Sequence, residues 1–406
     1  MTIPCRSCGG MGLEPILSLG RTPLANALLT ADRLADPEPI YPLDLEFCPA
    51  CSLVQITETI PPEELFRDYV YLTSYSDTAV LSAKHLAERL AAERRLGPDS
   101  LVIEIASNDG YLLQHYRHLG VPVLGVEPSA NIARVAEARG ISTRCDFFGP
   151  RLARALVAEG RRADVLHANN VLAHVADLNG VVAGMAAVLA CGGLAVIEVP
   201  YVRELIEKCE FDTIYHEHLC YFSLGALDAL LSRHGLAVVD VETIPLHGGS
   251  LRVSVSHAGP APSERVTAML ADERAAGMRS SGFYQGFAER VRTLECELVP
   301  LLRRLKTAGK RLAAYGASAK GSTLLNVFHI GAALLDFVVD RSPVKQGRFT
   351  PGTHLPILPT EALLERRPDY VLLLTWNFAD EILAQQAAYR AQGGRFIVPV
   401  PTPRVV

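Results

Sequence analysis

Residues 101–110, Leu-Val-Ile-Glu-Ile-Ala-Ser-Asn-Asp-Gly, decide how the centre of this chain folds. The first five are mostly apolar, and the small polar residues after them favour a turn, so the stretch predicts a buried strand that leads through a loop into a helix. Similar apolar runs recur downstream with helical segments between them, which predicts a doubly wound α/β sheet with helices on both faces. The further strands are predicted at 121–126, 164–168 and 194–199, with an antiparallel hairpin, 236–241 and 250–257, that finishes the sheet.

Residues 311–400 repeat the alternation of strands and helices and predict a second Rossmann-like α/β unit. Helices are also predicted over residues 77–95 and, as charged connecting elements, over 260–308. The chain has 406 residues, which is enough for two or three domains. We expect an N-terminal zinc-binding domain (1–75), a central domain (76–260), and a helical connector with a C-terminal Rossmann-like domain (261–406).

Two Cys-x-x-Cys pairs, Cys5/Cys8 and Cys48/Cys51, lie within the first 51 residues. Four thiolates presented by two tight turns are typical of a tetrahedral Zn²⁺ site. A redox dithiol is the alternative, but thioredoxin-like pairs occur singly beside a βαβ unit. Because the protein would fill all four ligand positions, we expect the zinc to be structural, with no open position for catalysis.

The overall composition indicates a globular protein, with 49% hydrophobic and 20% charged residues. The net charge of −5 argues against a nucleic-acid partner, which would select a basic surface. No apolar run has the length of a membrane span, and the N-terminus has no signal-peptide pattern. The five cysteines outside the two pairs are scattered and odd in number, as expected of reduced thiols. We therefore predict a cytoplasmic protein without a membrane partner.

The loop after the first predicted strand lacks the G-x-G-x-x-G pattern that cradles a pyrophosphate. An acid in the strand followed by a loop of small residues favours S-adenosylmethionine (SAM), with NAD as the alternative ligand. Glu127 ends the second strand, where an acid can accept hydrogen bonds from ribose hydroxyls, and Asp146-Phe147 is placed to hold an adenine. The glycine and asparagines also fit ordinary turn chemistry. The candidate cofactor-binding residues are Glu104, Ala106, Asn108, Gly110, Glu127, Asp146, Phe147, Asn169 and Asn170.

Residues 215–221, Tyr-His-Glu-His-Leu-Cys-Tyr, concentrate groups that can transfer protons. In an extended or irregular segment alternate residues share a face, so Tyr215 and Glu217 are expected on one face and His216 and His218 on the other. A histidine is the readiest general base at neutral pH, a carboxylate can orient its ring, and a tyrosine can donate a hydrogen bond to an oxyanion. Structural histidines or a His-x-His metal pair are the alternatives, although no third ligand lies at a suitable spacing.

Residues 315–322, Tyr-Gly-Ala-Ser-Ala-Lys-Gly-Ser, follow a predicted strand and open a helix. Small residues let backbone amides approach an anion at a helix N-terminus, and Lys320 adds a positive charge, so a nucleotide-sugar diphosphate would fit here. A tight strand-to-helix turn without a ligand is the alternative. The candidate substrate-binding residues in this loop are Tyr315, Gly316, Ser318, Lys320 and Gly321.

Six segments together resemble the sugar C-methyltransferases of deoxysugar biosynthesis over essentially the whole chain. They are the double Cys-x-x-Cys, EIASNDGYLL (104–113), NNVLAHV (169–175), YHEHLCYFS (215–223), LHGGSLRV (246–253) and AYGASAKGSTLLN (314–326). Ala106 departs from the pattern, because relatives often have glycine there.

The resemblance implies zinc, SAM and a nucleotide-linked sugar, usually dTDP-linked, held between domains. It implies His218 as the base, with Tyr215 and Glu217 beside it, and the active-site residues His174 and Tyr69. Tyr71 and His216 are expected to contact the substrate.

The expected reaction removes a proton from carbon 3 of a 4-keto sugar and methylates the resulting enolate. Three other functions fit parts of the same sequence: an O- or N-methyltransferase, a sugar 3-epimerase, and a non-catalytic zinc adaptor. The position of a transferred methyl group, or its absence, distinguishes these functions.

Overall fold

Three β-sheets organise the part of the chain that the computed structural model describes, residues 3–66 and 72–406. The first is antiparallel, with strand order β1-β2-β3-β9. Its strands are β1 (Glu14–Pro23), β2 (Ile40–Phe47), β3 (Val54–Ile56) and β9 (Cys220–Tyr221), and helix α1 (Pro62–Phe66) follows β3.

The first sheet was not predicted, because the register of β1 against β2 is interrupted twice. Shifts between Pro15 and Leu17 and between Ser18 and Arg21 break the alternation of apolar and polar residues that identifies a strand. Leu43, Leu45 and Phe47 on β2 nevertheless bury their side chains almost completely.

The second sheet is mixed, with strand order β10-β11-β8-β7-β4-β5-β6. The strands are β4 (Val102–Ile105), β5 (Val123–Val126), β6 (Thr143–Arg144), β7 (Ala163–Asn169), β8 (Leu189–Pro200), β10 (Leu236–Ile244) and β11 (Ser250–His257). The helices around them are α2 (Asp77–Glu93), α3 (Leu113–His118), α4 (Ala130–Ala138), α5 (Pro150–Ala158), α6 (Leu178–Val188), α7 (Val202–Glu207) and α8 (Leu224–Ser232). The predicted doubly wound sheet and its antiparallel hairpin are confirmed.

The third sheet has strand order β14-β13-β12-β15-β16-β17 and is parallel except for β17. The strands are β12 (Leu312–Tyr315), β13 (Val338–Val339), β14 (Ile357–Leu358), β15 (Tyr370–Leu373), β16 (Arg395–Val398) and β17 (Arg404–Val405). The helices are α9 (Glu264–Ala275) and α10 (Phe287–Thr307) before it, then α11 (Ala319–Val327), α12 (Ala362–Arg366), α13 (Ala379–Gln385) and α14 (Ala387–Ala391). The segment 379–391 thus contains two short helices.

Strand β9 lies far along the chain from the other strands of the first sheet. It pairs with β3 through Val54 opposite Tyr221 and Gln55 opposite Cys220, so the segment just before β9 is tied to the cysteine-rich region. The division into domains at residues 75 and 260 stays a prediction. Among the described residues, no helix combines the length and apolar character that a membrane span needs.

Candidate active site

The four cysteines of the N-terminal region converge on one point. Their Sγ atoms all lie within 4.8 Å of one another, with Cys5 and Cys51 3.5 Å apart and Cys8 and Cys48 3.6 Å apart. A tetrahedron with Zn–S bonds of about 2.3 Å places its sulfurs about 3.8 Å apart, so the set fits Zn²⁺. The Gly10 N–H also donates to Cys8 Sγ (3.4 Å), the kind of amide contact that supports a metal thiolate.

The cysteine turns contact helix α6 and the end of helix α8, and they are linked through β3 to residues 215–221. Asn179 Nδ2 donates to the carbonyls of Arg6 and Ser7 (both 3.0 Å), and Arg233 donates to the Ser7 carbonyl (2.9 Å). Three residues after Cys51 the chain enters the β3–β9 pairing, and β9 begins two residues after His218. The metal centre is therefore connected through one pair of strands to the predicted base.

A cleft of about 670 Å³ opens where the carboxyl ends of the second and third sheets face each other. One wall contains the loops after β4, β5 and β7, and the other contains the loops after β12, β13 and β15. Ligands of open α/β sheets bind at this end of the strands. Thr213, Tyr215 and His218 lie between the two walls.

The first wall contains non-glycine residues in a left-handed backbone conformation. Ala106 and Asn108 adopt left-handed φ angles of 52° and 50°, so the position where relatives often have glycine is strained by its methyl group. Both residues line the cleft, as do Glu127, Phe147, Asn169 and Asn170. The Glu127 carboxylate accepts hydrogen bonds from the Asn108 and Ser129 amides (3.0 and 2.9 Å), which fixes its orientation towards the cleft.

Three of the predicted cofactor residues are not among those that line the cleft. Gly110 has φ 78°, and a Cβ there would lie 2.7 Å from Ile141, so this glycine permits close packing. Asp146 forms an ion pair with Arg151. Glu104 is 1% exposed, and burial, with lesser contributions from neighbouring carboxylates, raises its pKa well above the usual range.

Tyr215 and His218 form a hydrogen-bonded pair. The segment is a turn in which the His218 amide donates to the Tyr215 carbonyl (2.8 Å), so the prediction of an extended segment with alternating faces is wrong. His218 Nδ1 lies 2.8 Å from the Thr213 carbonyl, which can only accept, so Nδ1 carries the proton. Neutral His218 then presents the Nε2 lone pair, 2.8 Å from the Tyr215 hydroxyl. This is the protonation state that a general base requires.

His174 and Glu217 complete the environment of this pair. The His174 ring meets the His218 ring edge to face, with centroids 4.7 Å apart, and its N–H donates to the Glu217 backbone carbonyl. Desolvation lowers the pKa of His174 to about 4, so its ring is neutral at physiological pH. Burial raises the pKa of Glu217 to about 7, and Asn26 Nδ2 donates to its Oε1 (2.7 Å).

Three further residues were predicted at the site, His216 and Tyr71 as substrate contacts and Tyr69 as an active-site residue. His216 Nε2 bonds the Pro42 carbonyl (3.1 Å), and its ring packs against Tyr41, so it contacts the first sheet and is not among the cleft-lining residues. Tyr69 and Tyr71 lie outside the described residues.

The second wall contains a strand-to-helix turn and the positively charged Lys320. Tyr315, Gly316, Ser318 and Lys320 line the cleft, and the Ser318 hydroxyl caps α11 by accepting from the Gly321 amide (3.1 Å). Gly321 itself packs on Leu374 and is not among the lining residues. The predicted small-residue loop is therefore a tight strand-to-helix turn that also forms part of the cleft.

Lys320 lies in a cluster of buried charge. Desolvation lowers the pKa of Lys320, and the nearby Asp212 and Glu210 carboxylates act in the opposite direction. The Lys320 ammonium sits over the Trp376 ring (4.7 Å), and Trp376 Nε1 donates to Asp212 Oδ2 (2.7 Å). Asp212 directly precedes Thr213, whose carbonyl is bonded to His218, so the second wall is hydrogen-bonded to the segment that contains the predicted base.

Sequence reasoning missed several cleft residues. Arg341 and Lys345 add two cations to the second wall, and Asp340 accepts from the Ala317 amide (2.8 Å) just as Glu127 does from loop amides in the first wall. Asp340 could have been found, because it comes directly after the short apolar strand β13, as Glu127 comes directly after β5. Asn26 carried no comparable signal, since it lies in an ordinary turn after β1.

Comparison with known families matches the three regions in order. Residues 5–66 match a zinc binding domain, residues 79–241 a methyltransferase domain, and residues 245–401 the C-methyltransferase C-terminal domain. The C-methyltransferase NovU of Streptomyces niveus is 38% identical over 407 residues, covering 99% of this chain and 96% of that protein. A ubiquinone biosynthesis O-methyltransferase of a Methylobacterium strain is 32% identical over 24% of this chain and 42% of its own length.

Solved methyltransferase structures resemble a part of the chain. A SAM-dependent methyltransferase from Clostridium acetobutylicum covers 43% of this chain and 91% of its own, with 12% identity and a TM-score of 0.36. The glycopeptide N-methyltransferase MtfA with SAM covers 43% and 94%, with 16% identity and a TM-score of 0.34. The family resemblance of the sequence motifs is confirmed by the NovU match and the three domain matches, and this chain belongs to the SAM-dependent C-methyltransferase family.

Proposed function

We propose that this protein methylates carbon 3 of a dTDP-linked 4-keto-deoxysugar. The observation that carries the proposal is the hydrogen-bonded Tyr215–His218 pair, which lines a cleft between a SAM-type loop and a second Rossmann-like wall. A carbon next to a ketone is acidic enough for a neutral imidazole to deprotonate when the oxyanion is stabilised.

The proton transfer follows from the positions of these side chains. His218 Nε2 takes the proton from carbon 3, and the electron pair of that bond moves to the carbon 4 oxygen. The Tyr215 hydroxyl, released from Nε2, donates to this oxygen. His218 leaves the step as an imidazolium, which Nδ1 keeps bonded to the Thr213 carbonyl until the proton passes to solvent.

SAM supplies the electrophilic methyl group that the nucleophilic carbon accepts. Ala106, Asn108 and Glu127 would hold SAM, because they form the wall with left-handed turns and an oriented acid that suits an amino-acid tail and a ribose. Holding both reactants in one cleft supplies much of the rate, since it makes the transfer effectively unimolecular. The zinc is structural in this proposal, because four cysteines complete its coordination.

The sugar nucleotide would lie against the second wall. Lys320, Arg341 and Lys345 give this wall three cations, and Arg341 is the most exposed, with 42% of its side chain accessible. A diphosphate is the group that such a set would neutralise. We place the reaction in the cytoplasm, in deoxysugar biosynthesis for the glycosylation of natural products such as antibiotics.

The test uses SAM with a deuterated methyl group and a panel of dTDP-4-keto-6-deoxysugars that carry either an amino or a hydroxyl group at carbon 3. Mass spectrometry should find a trideuteromethyl gain on one sugar, and fragmentation should place it on carbon 3. A gain on oxygen or nitrogen would indicate an O- or N-methyltransferase. Inversion at carbon 3 without methyl gain would indicate an epimerase, and either result would overturn the proposal.

A further inference from the structure

The N-terminal region contributes one side chain to the cleft that no part of the proposed mechanism uses. Asn26 follows β1 in a turn, lines the cleft, and donates from Nδ2 to Glu217 Oε1 at 2.7 Å. Glu217 is 3% exposed, and its Oε2 has no hydrogen-bond partner within the described ranges. The Asn26 amide is therefore a principal polar contact of a deeply buried carboxyl group.

The turn that carries Asn26 is held from both sides. Before it, β1 belongs to the first sheet, and after it, Leu29 and Phe349 exchange two backbone hydrogen bonds of 3.0 and 2.8 Å. Phe349 belongs to the C-terminal region, so the position of Asn26 depends on how the N-terminal and C-terminal regions meet. An anchored amide has little conformational freedom to lose when it bonds a carboxylate.

We propose that Asn26 is a positioning residue that holds Glu217 as an oriented carboxylate beside the Tyr215–His218 pair. The proposal rests on the proposed function, because it gives Glu217 a role in that reaction. An amide N–H stabilises the ionised form of a carboxyl group and has no comparable effect on the neutral form.

The charges around Glu217 agree with this role. Asn26 from the turn after β1 and Lys345 from the third-sheet region act on the Glu217 carboxyl group, whereas His174 bonds the Glu217 backbone and His216 points towards Pro42. Burial raises the Glu217 pKa to about 7, whereas Asn26 and, to a smaller extent, Lys345 lower it. Loss of the Asn26 donor should therefore move the ionisation of Glu217 to higher pH.

The test is the pH profile of kcat/KM for Asn26→Ala on the sugar nucleotide that the wild type methylates. If the Glu217 pKa rises by about one unit, the activity should fall about tenfold relative to the wild type at pH 6 and less than twofold at pH 8.5. Asn26→Asp, which places a second carboxyl group beside Glu217, should move the acidic limb further in the same direction. In a Glu217→Gln background, Asn26→Ala should leave the profile unchanged.

The matched control is Asn179→Ala, which removes another asparagine that joins the N-terminal region to the second sheet, through Arg6 and Ser7. Its acidic midpoint should equal that of the wild type. An unchanged midpoint in Asn26→Ala, or an equal change in Asn179→Ala, would overturn the proposal.

A measurement without substrate separates this proposal from the proposed function. In protein labelled with ¹³C at the glutamate carboxyl carbon, the resonance that disappears in Glu217→Gln reports its ionisation directly. Its midpoint should be higher in Asn26→Ala than in the wild type even if no sugar in the panel is methylated. An unshifted midpoint would overturn the role of Asn26, whatever the substrate is.

Discussion

The hydroxyl of Tyr215 is the part of the proposed mechanism that a single substitution isolates best. Tyr215→Phe removes the oxygen that lies 2.8 Å from His218 Nε2. The ring contact, with centroids 4.0 Å apart and planes tilted by 32°, is retained by phenylalanine. His218 also keeps its Nδ1 bond to Thr213, so its tautomer should not change.

The size of the defect distinguishes two roles for this hydroxyl. If it only orients His218, its loss removes one neutral hydrogen bond worth about 1 kcal/mol, which is roughly a fivefold loss of rate. If it donates to the oxyanion that forms at carbon 4, the loss is about 2.7–4 kcal/mol, or 10²–10³ in kcat. We expect the larger loss, with the KM of the sugar nucleotide changed less than about threefold, because an interaction made in the transition state contributes little to ground-state binding.

The assay is the steady-state rate of methyl transfer by Tyr215→Phe and by the wild type, with SAM binding and the thermal unfolding temperature as controls. A loss of less than about tenfold in kcat would refute the oxyanion role of Tyr215.

Three further outcomes are expected. Removal of zinc by a chelator, verified by metal analysis, should lower the unfolding temperature and reduce kcat more than it weakens SAM binding. The reason is that the cysteine turns are connected through β3 and β9 to His218. An unchanged kcat would contradict this connection. Glu217→Gln should stabilise the protein more at pH 8 than at pH 5, and the gain in the free energy of unfolding should differ by about 3 kcal/mol between the two pH values. A folded-state pKa raised from 4.5 to about 7 destabilises the wild type progressively between those values and fully above them, and the substitution removes this cost. Equal effects of the substitution at the two pH values in urea unfolding would contradict the raised pKa. Trp376→Phe should lower the free energy of unfolding by about 1–3 kcal/mol, since it leaves the buried Asp212 Oδ2 without its donor. A change below about 0.3 kcal/mol in urea unfolding would show that Asp212 finds another partner.

The sequence predicted the elements whose structure depends on neighbouring residues. The strand at 102–105 and the loop after it follow from neighbouring residues, and the positive φ of Ala106 appears where a departure from glycine had been noted. The cysteine pairs could be recognised because a zinc turn needs a fixed short spacing.

The parts that were missed depend on distant residues. Asn26 contacts Glu217 across 191 positions of the chain, and Trp376 contacts Asp212 across 164. The faces of residues 215–218 were predicted wrongly for a related reason. Their turn lies between Asp212, which is bonded to Trp376, and β9, which is paired with β3, and no local periodicity describes such a segment.

The measurement that bears on the reaction itself is hydrogen exchange at carbon 3 of the sugar nucleotide in deuterium oxide without SAM. We expect the wild type to introduce deuterium at carbon 3 and His218→Gln, with unchanged SAM affinity, to do so at least about 10²-fold more slowly. Exchange at the wild-type rate in His218→Gln would contradict the assignment of this imidazole as the base.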